Sequence, residues 1–364
     1  MLTPNYIKNL KPYVPGKPIE ELQREFNIER IYKIASNENS LGPSPKAVEA
    51  MINYMSESHR YPEVGAFDLR NKISKKFNLK IENIAVGNGS EGIMANALRS
   101  FLCDGEEIIS SESTFIGFQV LARGRANKYV EVPMLPGKYK FDLDGILNAV
   151  NSNTKIIYLC NPNNPTGTIF TKKEFEEFIK KIPENILVMI DEAYFEYATM
   201  YPEYPDSLFY RFDNVITLRT FSKIYGIAGI RLGYGFARNE IVETIMKVKL
   251  PFEPSIIAQA AGIAALDDDD FVKMSLEMNR EGYNFLTSEL SNLNIKWIPS
   301  YANFIMIDMG KEEYVVKLND YMLKNGIIIR PLKAFGLPHC IRVTIGTPEE
   351  NNAFVDYLRK YLKK

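Results

Sequence analysis

The 364-residue sequence predicts an α/β fold, with a large domain built on a mainly parallel, mixed sheet flanked by helices and a smaller α+β domain after it. Three observations predict this arrangement. Between residues 31 and 266, short β-branched runs alternate with longer amphipathic stretches. After the four aspartates at 267–270, a long segment has apolar residues at helical spacing, and short predicted strands and helices alternate after it. The length and the 46% hydrophobic content are enough for a large core and a second, smaller one.

We expect three parts in chain order. Residues 1–30 contain few core-forming runs and bring Pro12, Pro15 and Pro18 close together, so we expect an arm that packs on the small domain or on a partner subunit. Residues 31–266 form the large domain, and residues 267–364 form the small C-terminal domain.

The individual elements follow from local periodicity. Strands are expected where β-branched residues cluster, and helices where apolar residues recur every three or four positions. The large domain has predicted strands at 84–86, 107–110, 155–159, 186–190, 215–218 and 233–236, and predicted helices at 66–77, 91–102, 172–180 and 240–248. The small domain has predicted helices at 271–293, 313–324 and 349–362, and predicted strands at 304–307, 327–329 and 341–345.

The run Asp267-Asp268-Asp269-Asp270 has two interpretations. Four carboxylates could bind a metal ion. The favoured interpretation is the N-cap and first turn of the following helix, where acidic side chains complement the helix dipole. We therefore predict no metal site here.

Composition excludes several classes of function. The net charge is −1, from 44 basic and 45 acidic residues, which disfavours binding to nucleic acid or to an anionic membrane. No apolar run is long enough to span a bilayer. Cys103, Cys160 and Cys340 are far apart beside apolar runs, so we predict buried thiols in the reducing cytoplasm. With only His59 and His339, a histidine-based metal site or triad is not expected.

Lys223 is the most informative position in the sequence. It follows Thr220 and Ser222 closely and precedes Arg231 by eight positions. Its amine can form a Schiff base with an aldehyde such as that of pyridoxal phosphate, while the hydroxyls and the guanidinium can hold the phosphate. Most lysines are solvated surface charges, so this interpretation depends on the surrounding segments.

Asp191 directly follows the predicted strand at 186–190 and precedes Glu192, Ala193 and Tyr194. A buried aspartate needs a cation, and a protonated pyridine nitrogen would serve. Tyr194 could reach the oxygen of the same ring. An Asp-Glu pair could also bind metal in a nucleotide hydrolase, but the sequence has no glycine-rich Lys-Ser/Thr phosphate loop.

Three further segments follow predicted strands. Residues 161–167 read Asn-Pro-Asn-Asn-Pro-Thr-Gly, which is ordinary turn chemistry or a rigid loop that presents Asn164 to the ring oxygen. The turn at 87–92 includes Ser90 and could bind phosphate at a helix N-terminus. Phe115 is either a core residue or an aromatic face for the ring.

Together these segments resemble the aspartate-aminotransferase-like, fold type I enzymes that use pyridoxal phosphate, and among them the class II family of histidinol-phosphate aminotransferases. The resemblance covers nearly the whole chain. It includes the segments 10–16, 35–43, 60–63, 326–331 and 341–347.

The resemblance implies pyridoxal 5′-phosphate as cofactor and Lys223, Asp191 and Tyr194 as catalytic residues. Asp191 would face the pyridine nitrogen. The other implied cofactor-binding residues are Asn164 at the ring oxygen, Phe115 on the ring face, Ser90, Glu91, Thr220, Ser222 and Arg231 around the phosphate, and Tyr61 from the neighbouring subunit of a homodimer.

For the substrate, the resemblance implies Arg342 as the clamp for an α-carboxylate, helped by Asn37, with Arg330 and Tyr13 at a distal phosphate. The implied reaction is a ping-pong transamination by a Schiff-base mechanism. It interconverts histidinol phosphate and 2-oxoglutarate with imidazole-acetol phosphate and glutamate, a step of histidine biosynthesis. The implied partners are therefore small molecules.

Three departures from the family pattern leave the substrate open. Glu91-Gly92 stands where two adjacent acid or amide residues are usual, and residues 116–118 and Glu253-Pro254 also differ. The alternatives are an aromatic amino acid aminotransferase of the same fold, a threonine-phosphate decarboxylase-like lyase, and a non-catalytic module that retains the cofactor.

Overall fold

The computed structural model describes residues 2–12, 16–26, 28–125, 127–210 and 213–363. In these ranges the strands are β1 Tyr32–Lys33, β2 Ile84–Asn88, β3 Glu107–Ser111, β4 Lys128–Val132, β5 Thr154–Cys160, β6 Leu187–Asp191, β7 Val215–Thr220, β8 Leu232–Phe236, β9 Lys296–Ile298, β10 Phe304–Asp308, β11 Ile327–Ile328, β12 Arg330–Pro331 and β13 Cys340–Thr344. The helices are α1 Asn5–Lys8, α2 Ile19–Phe26, α3 Pro45–Tyr54, α4 Phe67–Phe77, α5 Gly89–Phe101, α6 Ile116–Arg123, α7 Leu143–Ala149, α8 Lys172–Ile179, α9 Phe195–Ala198, α10 Asn239–Val248, α11 Ile256–Ala265, α12 Asp269–Asn292, α13 Glu312–Lys324 and α14 Pro348–Leu362.

The large sheet has the strand order β2-β8-β7-β6-β5-β3-β4 within the described ranges. The strands from β7 to β4 in this order pair in parallel, whereas β8 is antiparallel to both β2 and β7. This is the mainly parallel, mixed sheet that the alternating pattern predicts. Because parallel strands end at the same edge, the residues that follow β3, β5, β6 and β7 lie close together.

The core of this sheet explains why its strands read as continuous apolar runs. Ile156, Ile157, Val188 and Met189 are fully buried, since helices cover both faces of a parallel sheet. One cluster joins them to the apolar sides of the helices, including Ile93 and Met94 of α5 and Phe175 and Phe178 of α8.

The C-terminal part contains a second, antiparallel sheet in the order β12-β13-β10-β9. Its core joins strand residues such as Ile305 and Val343 to Leu286 of α12 and Phe354 of α14.

The N-terminal segment packs against this C-terminal part. Strand β1 pairs in parallel with β11, with Tyr32 opposite Ile327, and Leu22 of α2 is buried in a small cluster with Ala35 and Ile328. The domain limits at residues 30 and 266 stay predictions.

The aspartate run behaves differently from the prediction at one position. Asp269 and Asp270 lie in the first turn of α12, but Asp268 does not cap this helix with its side chain. Its carboxylate instead accepts hydrogen bonds from the Ser44 hydroxyl at 2.5 Å and the Lys46 amide at 3.3 Å, at the start of α3. The run thus supplies the predicted N-cap position and first turn of α12, but the Asp268 side chain binds the start of α3 instead of capping α12.

The structure also bears on two predictions made from composition, the burial of the cysteines and the absence of a membrane-spanning segment. Cys160 and Cys340 are buried, but Cys103 is exposed in the turn between α5 and β3, so the prediction of a buried thiol was wrong there. Among the described residues, no helix has both the length and the apolar character needed to cross a membrane.

Candidate active site

A cavity of about 140 Å³ lies at the carboxyl edge of the parallel strands. All residues predicted to bind the cofactor line it, except Tyr61. They are Ser90, Glu91, Phe115, Asn164, Asp191, Tyr194, Thr220, Ser222, Lys223 and Arg231. The topology therefore brings together residues spread over more than 140 positions of sequence.

Asp191 is the last residue of β6 and is only 3% exposed. Its Oδ2 accepts a hydrogen bond from the Tyr158 hydroxyl at 2.8 Å, whereas its Oδ1 makes no hydrogen bond within the described ranges. Burial raises the pKa of Asp191 to about 6, although the bond from Tyr158 opposes the shift. A buried carboxylate with one unpaired oxygen is suited to a cationic N–H donor, such as a protonated pyridine.

Lys223 follows β7 and directs its amine towards the same cavity. Its Nζ lies 3.5 Å from the carbonyl oxygen of Ser36 and 5.8 Å from the centre of the Tyr194 ring. Burial, with the positive charge of Arg342, lowers the pKa of Lys223 to about 8. More of this amine is neutral near pH 7 than in an ordinary lysine, and the neutral amine is the form that attacks an aldehyde.

A hydrogen-bond network joins the two residues predicted at the ring oxygen to those predicted at the substrate carboxylate. Asn37 Nδ2 donates to the Tyr194 hydroxyl at 2.9 Å, and Arg342 Nη1 donates to Asn164 Oδ1. Arg342 Nη2 donates to the Ala35 carbonyl at 2.7 Å. Burial raises the pKa of Tyr194, so its hydroxyl stays protonated and can donate to a ligand oxygen.

The residues predicted to surround a phosphate also line the first cavity. The Ser222 amide donates to Thr220 Oγ1 at 3.1 Å, and Arg231 Nη2 donates to Glu91 Oε2 at 3.1 Å. Glu91 lies in the first turn of α5, where the helix dipole favours an anion. Gly89 has a φ of 72°, in the left-handed region that favours glycine, and a Cβ there would lie 2.8 Å from Arg231 Nη2 and displace the guanidinium.

A second cavity, of about 70 Å³, adjoins the first and shares Phe115, Asn164, Tyr194 and Lys223 with it. It adds the predicted substrate residues Asn37, Arg330 and Arg342, together with the unpredicted Gly16, Ala35, Ser36 and Phe335.

The two arginines of this second cavity are neighbours. Arg330 of β12 and Arg342 of β13 are opposite each other in the antiparallel ladder, and they are 7% and 5% exposed. Their guanidinium carbons lie 5.8 and 5.9 Å from the centre of the Phe335 ring. They are therefore not surface ion pairs, and they suit ligands that carry two negative charges.

Among the described residues, one predicted site residue, Tyr61, lines neither cavity. Tyr61 is 79% exposed, and its ring stacks on Phe252 with 4.2 Å between the ring centres. Tyr13 lies outside the described residues.

Sequence analysis missed Tyr158, Ser36 and Phe335. No motif marks them: Tyr158 is one aromatic residue in an apolar strand, Ser36 contributes its backbone carbonyl, and Phe335 lies in a short turn of 3₁₀ helix after β12.

The chemistry of the first cavity fits pyridoxal phosphate. Asp191 offers an unpaired buried carboxylate oxygen to a pyridine nitrogen, and Lys223 offers a readily deprotonated amine to an aldehyde. Thr220, Ser222 and Arg231 offer donors to a phosphate.

Comparison with known proteins agrees with this geometry. The family model for aminotransferase class I and II matches residues 29–358. The chain is 41% identical to histidinol-phosphate aminotransferase 2 of Carboxydothermus hydrogenoformans, over 98% of each chain. It superposes on the crystal structure of histidinol-phosphate aminotransferase from Sinorhizobium meliloti, solved with pyridoxal-5′-phosphate, with a TM-score of 0.90 and 27% identity, covering 100% of this chain and 98% of that one.

A Thermus thermophilus aspartate aminotransferase mutant shares the fold, with a TM-score of 0.82 at 21% identity, over 98% of this chain and 99% of that one. The predicted fold type I is therefore confirmed. The chain belongs to the class I and II aminotransferases.

Proposed function

We propose that this protein is a pyridoxal-phosphate-dependent aminotransferase that interconverts histidinol phosphate and 2-oxoglutarate with imidazole-acetol phosphate and glutamate. The observation that carries the substrate assignment is the buried pair of Arg330 and Arg342 beside Lys223. Histidinol phosphate has one doubly charged phosphate, and glutamate has two carboxylates. Two adjacent guanidinium groups can bind either a doubly charged phosphate or two carboxylates.

Each residue has a proposed role in this reaction. Pyridoxal phosphate supplies an electron sink for the bond broken at the substrate Cα. Lys223 would hold the cofactor and, as a neutral amine, would move the Cα proton. Asp191 would keep the pyridine nitrogen protonated, and Tyr194 and Asn164 would donate to the ring oxygen. Ser90, Thr220, Ser222 and Arg231 would hold the phosphate, with Glu91 orienting Arg231.

The substrate assignment predicts a selective effect of Arg330→Gln. The variant should lower kcat/KM for histidinol phosphate about 100-fold, because a charged hydrogen bond to the phosphate is lost. Phenylalanine carries a single carboxylate, which Arg342 can bind alone, so any turnover of phenylalanine should change little. The measurement is a half-reaction screen that follows the absorbance of the bound cofactor as each amino donor is added.

The screen also separates the alternatives. An aromatic aminotransferase would respond to phenylalanine or tyrosine and not to histidinol phosphate. A threonine-phosphate decarboxylase would release CO₂ without needing a 2-oxo acid. Either result would refute histidinol phosphate as the substrate.

We further propose a homodimer in the cytoplasm. The support for a dimer is an exposed apolar surface formed by Tyr61, Val64, Phe67, Leu250 and Phe252, where Tyr61 stacks on Phe252. A second copy of the chain that covered this surface would place Tyr61 near its partner's phosphate site, as the family resemblance implies. The thiols, all free within the described ranges, are consistent with a reducing compartment.

Mixed dimers test the shared site. Co-expression of Tyr61→Ala chains with Lys223→Ala chains should recover about a quarter of the wild-type activity, because half of the dimers are mixed and each contains one intact site. Each variant expressed alone should show much less. Activity is measured on the purified mixture, with sedimentation as the control for dimer formation. A fully active monomer, or no recovery in the mixture, would contradict the shared site.

A further inference from the structure

Tyr158 lies behind the cofactor cavity rather than in its wall. It belongs to β5 and is fully buried, and its hydroxyl donates to Asp191 Oδ2 at 2.8 Å. Its ring stacks on Phe118, with 3.8 Å between the ring centres and 9° between the planes. Its carbonyl oxygen accepts a hydrogen bond from the Ser110 hydroxyl at 2.7 Å. The ring and the backbone are thus both fixed.

The bond from Tyr158 makes the two oxygens of Asp191 unequal. Oδ2 is occupied by the hydroxyl, whereas Oδ1 has no hydrogen-bond partner in the described part of the chain, and Asp191 itself lines the cavity. Rotation of the carboxylate would break the Tyr158 bond inside the protein, where an unpaired polar group is costly. A donated hydrogen bond also favours the ionised carboxylate over the neutral acid.

We propose that Tyr158 is a positioning residue that orients the Asp191 carboxylate and favours its charged form, so that Asp191 can hold a proton on the cofactor's pyridine nitrogen. This inference rests on the proposed function, because it assumes pyridoxal phosphate in the cavity. Tyr158 touches neither cofactor nor substrate and acts through Asp191.

A purely structural role for Tyr158 makes a different prediction. As a core residue, Tyr158 would contribute only the packing of its ring against Phe118 and its neighbours. Tyr158→Phe keeps that ring and removes only the hydroxyl. The variant therefore separates packing from the hydrogen bond to Asp191.

Tyr129 offers a matched control. It lies on β4 of the same sheet, and its ring centre is 6.3 Å from that of Phe118. Its hydroxyl is buried and has no hydrogen-bond partner within the described ranges, so it makes no hydrogen bond to Asp191. Tyr129→Phe makes the same chemical change in the same aromatic cluster without touching the cofactor site.

The test compares the two variants with the wild-type holoenzyme. We expect Tyr158→Phe to lower kcat about tenfold with little change in KM, because the bond lost is to a charged group. The midpoint of the pH titration of the bound cofactor's absorbance should rise by about one unit. A protonated pyridine ring lowers the pKa of the neighbouring imine nitrogen, so a ring that holds its proton less firmly lowers that pKa by a smaller amount. Tyr129→Phe should match the wild type in both measurements.

Three results would overturn the inference. A Tyr158→Phe enzyme with the kcat and titration midpoint of Tyr129→Phe would show that the hydroxyl does not act on Asp191. A lower unfolding temperature with unchanged kcat and midpoint would assign Tyr158 to packing alone. A wild-type protein that binds no pyridoxal phosphate would refute the proposed function as well, whereas the first two results would leave that function standing.

Discussion

Replacing Lys223 with alanine should abolish amino-group transfer, with a fall in kcat of at least about 10³-fold, while the protein stays folded. The physical reason is that, in the proposed mechanism, the variant loses both the amine that would hold the cofactor and the base that would move the Cα proton. No other lysine lines either cavity within the described ranges, so no second amine is placed to substitute. The measurement is turnover of glutamate with 2-oxo acid by the reconstituted variant.

A matched control for this prediction is Lys173→Ala, because the Lys173 side chain is 85% exposed on α8. That variant should keep wild-type turnover, and both variants should unfold at temperatures close to the wild type. The prediction fails if Lys223→Ala retains more than about a hundredth of the wild-type kcat, which would exceed what general-base loss permits.

The second large effect is on stability. Arg219, next to Thr220, is fully buried, and its guanidinium donates to Glu192 Oε2 at 3.0 Å and to Asp206 Oδ1 at 2.7 Å. The same group lies 3.2 Å from the centre of the Phe195 ring. Arg219→Met should lower the free energy of unfolding by about 3–5 kcal/mol, because it leaves a buried carboxylate without its cation. Urea unfolding of the purified protein measures this change.

Two comparisons sharpen the stability prediction. Lys324→Met breaks an exposed ion pair with Asp320 on α13 and should cost less than about 0.5 kcal/mol. The triple variant Arg219→Met, Glu192→Gln, Asp206→Asn should recover part of the loss, since no buried charge is then unpaired. A loss below about 1 kcal/mol for Arg219→Met would contradict the prediction, because it would mean that Glu192 and Asp206 are not left as uncompensated buried charges.

The sequence predicted the strands of the large sheet that are short apolar runs ending in chemically distinctive residues. It did not predict the edge strand β4, which is mostly exposed or half-buried and includes Lys128 and Glu131. Asp191, Asn164 and Lys223 each lie just beyond a buried run, and parallel pairing then brings them to one edge. For these residues, the local sequence pattern was sufficient to predict that they lie at the same edge of the sheet.

The features that sequence analysis missed depend on distant partners. The Asp268 carboxylate accepts a hydrogen bond from Ser44, which is 224 positions away, and the Tyr158 hydroxyl donates to Asp191 on the neighbouring strand. Phe335 lines the second cavity only because β12 and β13 place it beside Arg330 and Arg342. The predicted role of Tyr61 in a neighbouring subunit's site stays a prediction, because a single chain does not show the partner.

The pairing of β1 with β11 has a consequence for the order in which the protein folds as it is synthesised. Tyr32 is synthesised long before Ile327, its partner in the ladder. Leu22 is likewise synthesised long before Ile328, with which it shares a buried cluster. A growing chain folds its N-terminal domains first, but these N-terminal residues have no local core to join. We therefore expect the large sheet to form first and the first thirty-odd residues to dock last, when translation is nearly complete.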